Sequence, residues 1–243
     1  SEGVQWEISL LSAFDRAIDS GDVWVAYQVK LDLASGRIKG AEALARWTDP
    51  ERGPISPAKF IQIAEEYHRI DRITRFVLGE AIRTVRDVRS IIPDFTISVN
   101  ISAQLLRFAG LTDMILDALR AENMPPDCLV LEITETDRLD RSSKTYAMME
   151  SLVAAGLELS IDDFGTGNAT IDYMRFRPAV EIKIDKMFVA TITSDRKDLL
   201  LVQSIIEMAH SLDRRVVAEG VENAEILAAL EAIGCDQIQG YHI

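Results

Sequence analysis

The chain has 243 residues, 48% of them hydrophobic, and sets 26 Lys and Arg against 39 Asp and Glu for a formal net charge of −13. That size suits one (β/α)8 barrel with a sizeable core, and the acidic balance argues against duplex DNA or an anionic membrane, partners that reward a basic surface. No apolar run approaches the roughly 20 residues of a membrane span and no signal peptide is visible, so the reading is a cytoplasmic domain without direct membrane insertion.

The sequence opens Ser1-Glu2-Gly3 without an initiating Met, which reads as a domain excised from a larger protein. Trp6, Leu10, Phe14 and Ala17 then fall at helical spacing, and Gly21-Asp22 ends the helix. Residues 1–22 form either a cap over the bottom of a barrel or a linker from an upstream sensory domain. Apolar runs follow, each ending on a polar residue. One reaches Glu42, Thr96 to Val99 leads to Asn100, Leu129 to Leu131 leads to Glu132, and Leu157 to Ile161 leads to Asp162-Asp163. Val180 to Ile182 reaches Lys183, Val216 to Ala218 reaches Glu219, and Ile238 reaches Gln239. Between them apolar residues recur at helical spacing, as in Leu105, Ile115, Leu116 and Leu119, or Leu201, Ile205, Met208 and Leu212. Loops with Pro or Gly punctuation are expected at Asp49 to Pro57, Ile92-Pro93-Asp94 and Met124-Pro125-Pro126. Cys128 and Cys235 have no CxxC partner and read as reduced, buried thiols. His68, His210 and His242 are too scattered for a metal triad.

Strand and helix alternate in units of roughly thirty residues, which implies right-handed crossovers and a parallel sheet. Parallel strands gather the polar residues of their C-terminal ends on one face, the catalytic face of a TIM barrel. An open doubly wound sheet would collect them only near a switch point, and the number of contributing strands favours the barrel. Oxygen ligands alone, converging from several strand ends, suit hard divalent cations such as Mg²⁺ or Mn²⁺. Any one of these acids alone reads as a solvated loop end or a helix N-cap.

Eight ordered segments, Tyr27-Gln28, Glu42-Ala43-Leu44 with Ala45-Arg46-Trp47, Val99 to Ser102, Leu131 to Glu135, Asp162 to Gly167, Lys183 to Asp185, Ala218 to Glu222 and Gln239-Gly240-Tyr241, together resemble the EAL domains, phosphodiesterases of the bacterial messenger cyclic di-GMP. The resemblance implies a TIM-like (β/α)8 barrel over residues 1–243, with its first strand antiparallel. It implies two Mg²⁺ or Mn²⁺ ions, with Asp162 bridging, Glu42, Asn100 and Glu132 completing one site, and Asp163 and Glu219 serving the other. Lys183, Glu219, Asp162 and Asp163 would carry catalysis, Lys183 either removing a proton from water or only positioning it. Gln28, Leu44, Arg46, Asp185, Glu222 and Gln239 would lie around the substrate or behind the metal ligands; Trp47 and Tyr241 read as packing residues. Glu135 would anchor a regulatory loop containing Phe164, Gly165, Thr166 and Gly167, its ordinary alternative being a helix cap. The implied partners are cyclic di-GMP, its product pGpG, a second copy in a homodimer, and an upstream sensory or GGDEF-type domain.

The chemistry has its own logic. A phosphodiester repels nucleophiles through its anionic oxygens, and two cations about 3.5–4 Å apart neutralise that charge and supply hydroxide near neutral pH. Ca²⁺, with longer and looser coordination, would bind but catalyse poorly. Departures from the family pattern are Val29 in place of Pro, Tyr67-His68-Arg69, Asn168-Ala169-Thr170 and Ala179-Val180, and the chain stops at Ile243, before the family's Ser-x-Pro segment. They bear on loop control and dimer contacts and remove no metal ligand. The rival readings are a receptor that binds cyclic di-GMP without cutting it, and a barrel serving only protein interactions.

Overall fold

Strand β1 (Val23–Asp32) pairs antiparallel with β2 (Arg37–Asp49), from Val23 against Trp47 to Asp32 against Arg37. Next to β2, in parallel, come β4 (Thr96–Asn100), β5 (Leu129–Thr134), β6 (Glu158–Phe164), β7 (Ala179–Ile184), β8 (Arg215–Glu219) and β9 (Gln237–Gln239). Leu31 and Asp32 of β1 then meet Ile238 and Gln237 of β9, again antiparallel, so that the sheet closes on itself. A short β3 (Gly53–Ile55) folds back on the far end of β2. The result is the expected (β/α)8 barrel with one reversed strand, seen in a computed structural model that describes residues 2–134, 144–165, 179–240 and 242.

The helices form where apolar spacing and caps allow. In chain order they are α1 (Glu2–Ser20), α2 (Pro57–Glu66), α3 (Ile70–Arg89), α4 (Ala103–Leu106), α5 (Leu111–Ala121), α6 (Lys144–Ala154), α7 (Lys186–Val189), α8 (Arg196–His210) and α9 (Ala224–Ala232). In α3 the buried residues Ile70, Ile73, Thr74, Val77, Leu78, Ala81, Ile82 and Val85 keep the three-and-four spacing of one face, which packs on β2 and β4. Each such Ile, Leu or Val contributes about 1.5–3 kcal/mol by leaving water. Side-chain caps start α4, α7, α8 and α9: Ser102, Asp185, Asp195 and Asn223 each accept an N–H of the first turn.

Four local expectations are corrected. The apolar spacing from Leu105 to Leu119 spans two helices, because the chain turns at Phe108 to Gly110, where Leu111 N–H donates to the Phe108 carbonyl at 3.0 Å. The Asp49 to Pro57 loop contains β3, held by pairing with Trp47 to Asp49. Glu42 lies within β2 and not at a strand end, because pairing with β1 and β3 extends that strand to Asp49. The helix beginning near Trp6 also runs longer than its apolar spacing, from Glu2 to Ser20, before Gly21 turns the chain at φ +82°.

Trp47 is buried and edge-on to both Phe14 and Phe60, with ring centroids 5.7 and 5.9 Å apart, so it packs α1 and α2 against β2. Cys128 and Cys235 are free and buried, and burial pushes their thiols up to about 11 and about 12. His210 pairs with Asp236 at 2.8 Å, just before β9 and so at the opposite end of the strands from Glu219 and Gln239. Among the described residues no helix is long and apolar enough to cross a membrane.

Near the mouth of the barrel Val221 N–H donates to the Gln239 carbonyl at 3.2 Å, and His242 N–H donates to the Val221 carbonyl at 3.1 Å. Gly240 makes this approach feasible: a Cβ there would lie 2.2 Å from the carbonyl oxygen and 2.4 Å from the nitrogen of Val221. Backbone atoms cannot step aside as a side chain can. Gly240→Ala is therefore expected to destabilise the domain by about 2 kcal/mol, a fall of roughly 5 °C in thermal midpoint for a chain of this size. An unchanged midpoint in calorimetry would show that the two loops separate at little cost.

Candidate active site

Side chains alternate along a strand, so one face of each barrel strand meets the axis. Here that face is polar at two depths. Gln28, Asn100, Asp162 and Lys183 lie toward the mouth, and two residues deeper on the same strands lie Lys30, Ser98, Ser160 and Glu181. Because β1 runs backwards, Gln28 sits opposite Glu42 while the later Lys30 points deeper.

Lys183 is the hub of the upper tier. Its ammonium, on a side chain 1% exposed, lies 2.6 Å from Glu219 Oε1, 2.7 Å from Glu132 Oε2, and 3.1 Å from both Glu42 Oε2 and Asp162 Oδ1. Asn100 donates from Nδ2 to Glu42 Oε1 at 2.7 Å. Gln239 donates from Nε2 to the other Glu42 oxygen at 2.6 Å and to Gln28 Oε1 at 3.0 Å. Carboxylate oxygens of Asp162, Asp163 and Glu219 all lie within 4.8 Å of one another. The expected metal ligands are thus brought together: three converge directly, Glu42 and Glu132 join them through Lys183, and Asn100 joins through Glu42. An all-oxygen donor set with excess negative charge fits a hard divalent cation.

Asp163 is held at φ +54°, a conformation in which few residues other than Gly settle, and such strain clusters at functional sites. Gly220, just after Glu219, has φ +69°, and a Cβ there would fall 2.4 Å from Lys186 Cβ. This leaves the backbone after Glu219 tight against α7. Asp185 accepts from Met187 N–H as the cap of α7, and its carboxyl group is one of the neighbours that raise Asp163.

Electrostatics follow from burial and crowding. Burial, then the neighbouring charges of Asp162 and Glu42, push Glu219 up to about 7 despite Lys183. Burial, then Asp162 and Asp185, push Asp163 up to about 6. Asp162 is raised by burial and by Glu132. Burial acts to raise Glu42 as well, and so does Asp162, but Lys183, the Gln239 hydrogen bond and Lys30 together hold that carboxyl low. For Lys183 burial disfavours the charge, yet Glu132, Glu42, Asp162 and Glu219 together hold its pKa well above the ordinary lysine value.

Other expected residues spread more widely. Leu44 and Arg46 line a cavity of about 470 Å³ together with Ile61, Glu65, Ile73, Val77 and Asn100, so Asn100 joins this cavity to the carboxylate cluster. Arg46 turns one guanidinium nitrogen to the Ala45 carbonyl at 2.9 Å. Glu222 is exposed between β8 and α9. Phe164 is buried, and Gly165 has φ +100°, where a Cβ would meet the Phe188 ring at 2.8 Å. Glu135, Thr166, Gly167, the Asn168-Ala169-Thr170 departure and Tyr241 lie outside the described residues.

The lower tier was not anticipated from sequence. Lys30 donates to Ser98, Glu132 and Glu181, and Arg215 donates to Glu181 at 3.0 Å and to Glu158. A signal was available: Lys30, Glu181 and Arg215 are charges inside apolar strands, an even number of residues from Gln28, Lys183 and Glu219.

Fold and site define a barrel enzyme-like domain with an acidic cluster at the strand C-termini. The sequence pattern of the EAL domain matches residues 11–243, and the chain belongs to that family. It is 35% identical over 238 residues to MucR of Pseudomonas aeruginosa, named as a bifunctional diguanylate cyclase and cyclic di-GMP phosphodiesterase, covering 98% of this chain and 35% of MucR. It is 37% identical to the oxygen sensor protein DosP of Escherichia coli, covering 99% of this chain and 30% of DosP. The chain thus spans about a third of the length of these relatives. Among solved structures, the PaMucR phosphodiesterase in complex with c-di-GMP superposes with a TM-score of 0.89 at 35% identity, covering 96% of this chain and 95% of that one.

The raised carboxyls predict a pH dependence. An acid whose pKa is higher folded than unfolded keeps its proton longer in the native state, so stability falls as pH rises between the two values. For Glu219 that window runs from the ordinary 4.5 to about 7. In chelator the thermal midpoint should decline across this window and level off above it. Glu219→Gln should flatten the decline, and Mg²⁺ should raise the midpoint more at pH 8 than at pH 5.5. A chelated protein whose midpoint climbs from pH 5 to 7 would contradict the electrostatics described.

Proposed function

We propose that this EAL domain is a divalent-metal-dependent phosphodiesterase that opens cyclic di-GMP to linear pGpG. The observation that carries the reading is the four carboxylates, Glu42, Glu132, Asp162 and Glu219, gathered within 3.1 Å of one buried ammonium. Similarity to a phosphodiesterase solved with c-di-GMP supports the choice of substrate. A receptor that merely holds the nucleotide has no need of so costly an accumulation of buried charge.

Glu42, Asn100, Glu132, Asp162, Asp163 and Glu219 would hold two Mg²⁺ or Mn²⁺ ions, which would supply charge neutralisation and activate water near neutral pH. The protein's own groups do the rest. Lys183, kept protonated by the carboxylates facing it, orients the attacking water and offsets charge growing on the phosphoryl oxygens, and does not accept the proton. Gln239 and Asn100 fix the orientation of Glu42. Leu44 and Arg46 offer an apolar wall and a planar cation to a guanine and its phosphate, in the cavity that Asn100 shares. Water adds to phosphorus, the bond to the 3′ oxygen breaks, that oxygen takes up a proton, and the 5′ phosphate stays on the product. The relatives' greater length supports reading the domain as one part of a longer, cytoplasmic signalling protein.

Incubation with cyclic di-GMP and product chromatography test this directly. Hydrolysis should vanish on exhaustive chelation and return with Mg²⁺ or Mn²⁺, while Ca²⁺ should inhibit because its looser coordination misplaces the water. Glu42→Ala should lower turnover by a factor on the order of 10² while nucleotide binding persists. Wild-type and Glu42→Ala proteins that bind the nucleotide alike and leave it uncut would establish a receptor in place of an enzyme.

A further inference from the structure

The deepest ammonium in the barrel has no part in the reaction described so far. Lys30 is 2% exposed, and its three donors meet three acceptors: Ser98 Oγ at 2.7 Å, Glu132 Oε1 at 2.9 Å and Glu181 Oε1 at 3.0 Å. A lysine ammonium has three N–H groups and no more, so its position is fully determined. Glu181 is itself fixed from the other side by Arg215 Nε at 3.0 Å. Two of the three acceptors that hold Lys30, Ser98 and Glu181, therefore lie in the barrel floor, below Glu132.

Glu132 has two oxygens, and this arrangement divides them. Lys30 holds Oε1 from below, and Oε2 faces Lys183 above at 2.7 Å. We propose that Lys30 is a positioning residue for the reaction: by occupying Oε1 it prevents the Glu132 carboxylate from rotating and makes it present Oε2 alone toward the ligand cluster. A carboxylate free to turn could offer both oxygens or neither, and hydrogen-bond partners behind a ligand typically change metal affinity or activity by 10–100-fold. A neutral residue at 30 would also leave Glu132 with Lys183 as its sole buried cation, drawing that ammonium downward and away from Asp162 and Glu219. The inference rests on the metal-dependent hydrolase reading for its effect on turnover, but its effect on metal affinity does not need that reading.

Removing Lys30 alone strips a countercharge from Glu181, so the decisive variant is Lys30→Met with Glu181→Gln, which preserves the net charge of the floor. Mn²⁺ binding, followed by the loss of the free-ion signal in electron paramagnetic resonance, should weaken by 10–100-fold in this double variant, and kcat should fall comparably with little change in KM for cyclic di-GMP. A folded double variant with wild-type Mn²⁺ affinity and wild-type kcat would overturn the proposal, since it would mean that Lys30 only neutralises Glu181. If the double variant does not fold, Ser98→Ala decides, because it removes one partner of Lys30 without altering any charge. It should weaken Mn²⁺ several-fold in a protein that stays folded, its thermal midpoint lowered by the lost buried hydrogen bond, and wild-type affinity there would overturn the proposal equally. Wild-type protein that binds Mn²⁺ yet fails to cut cyclic di-GMP would refute the hydrolase reading and leave the affinity comparison intact.

Discussion

Glu132 is 1% exposed and is held between two buried lysines, Lys30 at 2.9 Å and Lys183 at 2.7 Å, one on each oxygen. A charge taken out of water costs several kcal/mol unless paired and hydrogen-bonded. Here the pairing propagates. From the floor upward Glu158, Arg215, Glu181, Lys30, Glu132 and Lys183 alternate in sign, and the column ends in Glu42, Asp162 and Glu219. Removing an interior member would strand its neighbours without water, a loss of about 3–5 kcal/mol where such pairs have been broken. At the mouth the alternation stops with more carboxylates than cations, and there burial and crowding raise Glu219 and Asp163. The fold thus neutralises charge through its depth and leaves a deficit of positive charge only where substrate can reach.

The reversed first strand makes that column feasible. In a parallel strand the residue deeper in the barrel comes earlier in sequence. In β1 it comes later, so Gln28 reaches Gln239 at the mouth while Lys30 goes down to the floor. The same strand pairs along nearly all of β2 and carries that strand on past Glu42 to Leu44 and Arg46 at the cavity wall. Backbone direction in one strand therefore positions Glu42, the amide that holds it and the wall of the cavity together.

Much of this was legible in the sequence, for identifiable reasons. Asn100, Glu132, Asp162, Lys183, Glu219 and Gln239 follow short apolar runs, and parallel strands necessarily bring such positions to one rim. Lys30 and Glu181 were hidden because a charge within an apolar strand looks like a solvent-facing residue on an alternating pattern. Only closure of the barrel turns that face inward, and closure is a property of the whole sheet. Glu42 was placed at a strand end because the run before it is apolar; the pairing that extends β2 depends on β1 and β3, distant in register if not in sequence. The break between α4 and α5 was likewise masked, since a turn at Phe108 to Gly110 leaves the apolar spacing on either side intact.

Cys128 and Cys235 are the chain's two cysteines, both buried, with thiols held at about 11 and about 12. Reaction with maleimides and disulfide reagents proceeds through the thiolate, which at neutral pH is a vanishing fraction of such groups. Burial and a raised pKa together make both thiols of this domain slow to label while it stays folded. A single cysteine introduced on any exposed helix would be the one fast-reacting site, so spin labels or fluorophore pairs can be placed without first deleting the native cysteines and disturbing the core around them.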